Sequence, residues 1–141
     1  MVNTFKSKAF VLSALSAFAI WSIIDFLVHG VLLMPSYQAT AHLWRPMEEM
    51  KQAMMHLSVL LSALAFVALY AAVVSSKTLR SGLNFGALFG LSVGISMGLG
   101  TYSYMDIPFP MAMTWMCAEI VRCVSAGAAM GLIYKAVGKK A

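Results

Sequence analysis

Four long apolar stretches dominate this chain and leave it few ways to fold. They run over about 9–34, 54–74, 82–103 and 111–134. Each is long enough, at about 1.5 Å of rise per residue, for a helix to cross a hydrocarbon layer of about 30 Å. A backbone in hydrocarbon must satisfy its own hydrogen bonds, so these stretches read as helices. Of the residues, 61% are hydrophobic and only 11% are charged. A soluble domain carries about 25% charged residues, so too little polar surface remains to coat a globule in water. The expectation is an all-α membrane protein, one domain over 1–141, with four transmembrane helices in an up-down bundle.

The net charge of +5 does not point to nucleic acid. Lys6 and Lys8 precede the first stretch, Lys77 and Arg80 lie between the second and third, and Lys135, Lys139 and Lys140 end or follow the fourth. The other two connections hold Arg45 and Lys51 near one and no base near Asp106. This asymmetry predicts a multi-pass inner (cytoplasmic) membrane protein with N- and C-termini cytoplasmic. The bases then meet anionic lipid headgroups. Lys6, Lys8 and Ala17-Phe18-Ala19 imitate a cleavable signal, but the apolar run continues to about Met34 and reads as an uncleaved first span.

Between the spans, Pro35 and Tyr37 close the first helix, and Trp44 suits an interfacial aromatic belt. Pro46 is placed to open a helix, with Glu48 and Glu49 in its first turn. That helix, about 46–53, is expected to continue unbroken into the second span. In the third stretch Gly82, Gly86, Gly90, Gly94 and Gly98 recur every fourth residue. They predict a groove in which another helix backbone can lie closely, with Gly127 and Gly131 of the fourth span as its match. Ser92 and Ser96 are expected to add interhelical hydrogen bonds. Cys117 and Cys123 would project about 240° apart around one helix and about 9 Å along it, so they cannot pair with each other. Both are expected to be buried thiols.

The candidate site lies in the ionisable residues of the apolar stretches. Such residues are costly in a membrane and are presumed functional. Asp25 and His29 stand about one turn apart on one face, with Trp21 a turn earlier. Glu119 and Arg122 share a face of the fourth span. Residue counting puts Asp25 and Glu119 at similar depth, Arg122 a turn deeper, His29 a turn nearer the outside and His56 higher still. Arg122, Glu119 and Asp25 therefore read as a structural ion pair across a helix seam. Two acids facing one base leave a surplus negative charge unless one acid holds a proton.

That surplus suits a cation. His29, His56, Asp25 and Glu119 supply ligand types for a transition metal, and the 12 methionines, with Met47, Met50 and Met54 on one stripe, favour copper as Cu(I). Paired His29 and His56 could instead hold haem b. A proton- or ion-coupled transporter using Asp25 and Glu119 is a further reading, although the cytoplasmic halves of the spans carry only apolar or small residues and scattered serines. The helix around Trp44 to Met55 would serve as a docking surface in a homo-oligomer or as an accessory subunit of a larger, for example respiratory, membrane complex. No nucleophile, metalloprotease or phosphate-loop motif is present, so the sequence favours a binding protein over an enzyme.

Overall fold

The computed structural model describes residues 7–138. Lys6, Lys139 and Lys140, which the charge argument uses, lie outside the described residues. Every regular element within them is helical. Helix α1, Lys8–Asp25, starts at Ser7, whose side chain accepts a hydrogen bond from Phe10 N at 3.2 Å. It runs directly into a π-helical stretch, Phe26–Leu32. The short helix α2, Met34–Ala39, follows. Helix α3 spans Gln52–Val73 and helix α4 spans Leu79–Ile95, the latter continued by a second π-helical stretch, Ser96–Gly100. Helix α5 spans Phe109–Gly138.

Among the described residues, four helical stretches are long and apolar enough to cross a membrane: Lys8–Leu32, Gln52–Val73, Leu79–Gly100 and Phe109–Val137. They match the four stretches read from the sequence and are consistent with a small membrane protein. Their outward faces are apolar as well. Leu15, Ile23, Phe26, Leu61, Leu88, Val121 and Leu132 are all more than half exposed, a surface suited to lipid.

Two boundaries differ from expectation, and each has a local cause. Pro35 has no N–H to continue the first helix. The chain turns off at Leu33, whose N–H reaches back five residues to Val28 O at 2.8 Å. The helix expected to run unbroken from Pro46 into the second span is only a 3-10 turn, Met47–Glu49. Met50 is extended, and α3 begins at Gln52. Arg45 to Glu49 are all exposed, so this stretch has no apolar face to bury, and so short a helix is marginal without packing.

The glycine repeat behaves as its spacing implies. A Cβ on Gly90 would lie 2.9 Å from Ile120 Cα, and one on Gly94 would lie 2.7 Å from Met116 O. Gly82 meets Gly127, Gly86 meets Cys123 and Val124, Gly98 meets Ala112, and Gly131 meets Thr78. Positions rise along α4 as they fall along α5, so this pair is antiparallel and in contact backbone to backbone. Ser92 on α4 and Ser96, the first residue of the π-helical stretch, depart from expectation: both are exposed, away from this seam. A step of four overshoots one turn only slightly, so the glycines keep one face and leave the serines on another.

The turn between α3 and α4 is fixed by side chains. Thr78 and Ser81 form a reciprocal cap at the start of α4, with Ser81 N to Thr78 Oγ1 at 3.1 Å and Thr78 N to Ser81 Oγ at 2.9 Å. Lys77 Nζ donates to the carbonyls of Tyr70 at 2.7 Å and Ala71 at 3.0 Å, and also to Val74 O. It lies over the Tyr70 ring, 4.6 Å from the centroid. A cation there complements the negative end of α3. Burial pulls this ammonium below its ordinary range, while the carbonyls and the ring face favour the charged form.

The glycine seam yields a direct prediction. Gly86→Leu forces α4 and α5 apart and lowers stability by at least the 1–3 kcal/mol typical of overpacking. Leu88→Ala, on the exposed face of the same helix, leaves the thermal midpoint in detergent nearly unchanged. Equal midpoints for the two variants would show that the seam does not hold the bundle together.

Candidate functional site

The last residue of α1 before the π-helical stretch is Asp25, and it faces Arg122 of α5. Arg122 Nη1 donates to Asp25 Oδ1 at 2.8 Å and to Oδ2 at 3.1 Å. Both bonds come from one nitrogen, so the guanidinium fork is not matched edge to edge with this carboxylate. Arg122 Nε lies 2.9 Å from Glu119 Oε2. That is an ion-pair distance, but the N–H does not point at the oxygen, and neither atom has a hydrogen-bond partner in the protein. Charge is balanced there while hydrogen bonding is not. The three side chains are largely buried, with 26% of Asp25, 16% of Arg122 and 13% of Glu119 exposed.

Trp21 completes the setting of the cation. It is 1% exposed, its ring centroid is 4.5 Å from Arg122 Cζ, and its Nε1 donates to Arg122 O at 3.1 Å. The indole thus gives the guanidinium a π face and fixes the backbone that carries it. Beside the group is a cavity of about 210 Å³, lined by Trp21, Ser62, Ala65, Phe89, Val93, Glu119, Arg122 and Cys123.

A second cluster lies further along from Asp25. Tyr37 of α2 is bonded to His29, with Nδ1 and the phenol oxygen 2.6 Å apart. Trp115 Nε1 donates to the same oxygen at 3.0 Å. Indole nitrogen is only a donor, so an assignment that uses each group once has the Tyr37 hydroxyl donating to Nδ1. Trp44 packs edge-on against Tyr37 and Trp115 and donates to Thr40 Oγ1 at 2.9 Å. Leu33, Ile107, Met111 and Ala112 close this cluster from below. Burial raises the Tyr37 phenol above its ordinary range, partly offset by the Trp115 hydrogen bond.

Of the residues singled out in the sequence, Asp25, Glu119 and Arg122 come together across the α1–α5 seam. His29 is turned toward Tyr37. His56 sits on the exposed first turns of α3, where residues 52–58 are exposed throughout. The metal reading gains no support from this arrangement. Among the described residues no group of three or more His, Cys, Asp and Glu side chains could hold a metal ion. Asp25 and Glu119 already have a cation, Arg122, between them. Met47 and Met54 are exposed and separated by the break at Met50, so the methionine stripe does not form. Neither histidine lines the cavity, which leaves haem b without a slot there. Cys117 is exposed and only Cys123 is buried. Sequence reasoning missed Ser62 and the Tyr37–Trp115 bond; nothing local marks a contact between residues 78 positions apart.

Fold and site together define a class: four apolar helices, consistent with a small membrane protein, around a buried Arg–carboxylate group. The chain matches no family model, no curated protein and no solved structure.

The charge count orders the effects of substitution. Arg122→Gln leaves two carboxylates together and costs about 3–5 kcal/mol, the range for breaking a buried pair. Asp25→Asn leaves one base and one acid and costs clearly less. Chemical denaturation of the two variants in detergent checks this order, and a larger loss for Asp25→Asn would contradict it.

Proposed function

We propose that this chain is a small inner-membrane protein whose helices alternate in direction, with both ends cytoplasmic. We further propose that it binds a small uncharged hydrogen-bonding group at Arg122 and Glu119. The orientation is supported by Lys8, Lys77, Arg80 and Lys135, and by the Tyr37, Trp44 and Trp115 cluster, which suits the opposite interface. A reporter active only in the cytoplasm, fused to the carboxyl end, gives signal in cells; signal only from an external reporter overturns the orientation.

One observation carries the binding reading. Arg122 and Glu119 line the cavity of about 210 Å³, and their Nε and Oε2 atoms are buried without hydrogen-bond partners. An unmade hydrogen bond on a buried group costs about 1–3 kcal/mol, which a bound hydroxyl or amide would recover. Such a group accepts from Nε–H and donates to the carboxylate. A charged group does worse, because an anion meets two acids and a cation meets the guanidinium. The volume is below the roughly 300–1,000 Å³ of drug-sized sites, so the seat takes a fragment or a head group.

The test is a titration of the protein in lipid nanodiscs, read at the Arg122 Nε–H resonance. Glycerol and n-butanol are expected to shift it saturably, and n-butylammonium and n-butyrate at least tenfold more weakly. No response, or an equal response to all four, removes the binding reading.

A further inference from the structure

The cavity lies at the fork between α3 and α4. The short turn at 74–78 joins the two helices at one end. Near that end Tyr70 and Phe66 of α3 close onto Phe85 and Phe89 of α4, at 5.4 Å for Tyr70–Phe85 and 5.1 Å for both Phe66 pairs. The Tyr70 hydroxyl also meets Ser81 Oγ at 3.3 Å. At the other end of α3, residues 52–58 are exposed throughout. The cavity sits just past the last ring contact. Trp21 and Cys123, each 1% exposed, also line it. Ser62 and Ala65, on the α3 side of its mouth, are both exposed, and both are small.

Ser62 and Ala65 are the exposed residues of its lining, so the cavity is reached from the α3 side, which meets hydrocarbon where these helices cross a bilayer. Leu61 is 56% exposed and Leu91 is 45% exposed. A solute from water would have to reach the fork through lipid, whereas a molecule dissolved in the bilayer meets it directly. The far wall of the same cavity carries the misaligned Arg122–Glu119 pair, which wants a group that both accepts and donates.

We infer that the site takes a single-chain amphiphile with an uncharged hydroxyl head, entering sideways from the membrane between α3 and α4. The hydroxyl oxygen accepts from the Arg122 guanidinium and its proton is donated to the Glu119 carboxylate. The cavity of about 210 Å³ has room for the head and the first few carbons, since a water-sized group fills about 30 Å³. The remainder of the chain lies along the exposed apolar fork. A phospholipid head is anionic or zwitterionic and too bulky to follow. This inference rests on the binding reading above and adds the ligand class and the route.

The experiment uses the full chain in nanodiscs and two photoreactive probes of equal length, a diazirine-bearing dodecanol and the matching diazirine alkane. After irradiation, labelled positions are mapped by peptide sequencing. The alcohol is expected to label residues around Ser62, Ala65, Phe89 and Val93 at least tenfold more than the alkane does. Unlabelled dodecanol should suppress that labelling. Ala65→Trp and Ser62→Trp, both at the exposed mouth, should each abolish it. Equal labelling by the alkane would mean that the fork is filled by any acyl chain, and the inference falls. If glycerol and n-butanol shift the Arg122 resonance while the dodecanol probe does not label these residues, the seat stands but is reached from water, and the inference falls alone. If neither probe class registers, both readings fall together.

Discussion

A charge in a low-dielectric interior must find an opposite charge close by, and the guanidinium of Arg122 is where this chain meets that demand. The group sits on α5, and its counter-charges come from Asp25 on α1 and from Glu119 three residues earlier on its own helix. Removing any one of these from water alone would cost several kcal/mol. Together they fix how α1 and α5 face each other. Trp21 adds a ring face to the cation and a hydrogen bond to its backbone carbonyl. The rotation of α1 about its axis follows, and so does the packing of Ala14, Ala17 and Trp21 against Ala126, Cys123 and Phe66.

A different force holds the other half of the bundle. Lipid tails are as apolar as leucine, so helices gain little by hiding apolar side chains from them. Close backbone approach supplies contact instead, and glycine permits it. The α4–α5 seam is built this way along its whole length. By contrast, α3 packs on α1 and reaches α4 chiefly through aromatic rings. One face of the bundle is therefore sealed by backbone contact, and the opposite face is held by rings at one end. The cavity lies on the looser face.

The π-helical stretch after Asp25 links the charged group to the aromatic cluster. A wider turn shifts the phase of the side chains that follow, and such turns often occur at functional sites. Here it leaves Asp25 on Arg122 and hands His29 to Tyr37. The phenol takes a hydrogen bond from Trp115 as well. The residues that end the first span are thereby tied to the start of α5 by hydrogen bonds and stacked rings. The segment from Leu33 to Trp44 folds over that end of the bundle and leaves the first turns of α3 uncovered.

The sequence by itself determined the four helices, the glycine seam and the meeting of Asp25 with Arg122. All three rest on local rules: apolar length, a repeat of four against a turn of 3.6 residues, and the requirement that a buried base find a buried acid. Depth counted along each helix brought Asp25 and Glu119 to a similar level, with Arg122 a turn deeper and within reach of both. Depth says nothing about rotation, and rotation decided the rest. His56 has a plausible height but points away from the bundle, and His29 is redirected by the π turn to a tyrosine. The methionine stripe is broken where the chain turns extended at Met50. The bond between Tyr37 and Trp115, the misalignment of Arg122 Nε with Glu119, and the cavity beside them were decided only by the tertiary structure. Each depends on how separate helices are turned toward one another, and no pattern within a single helix carries that angle.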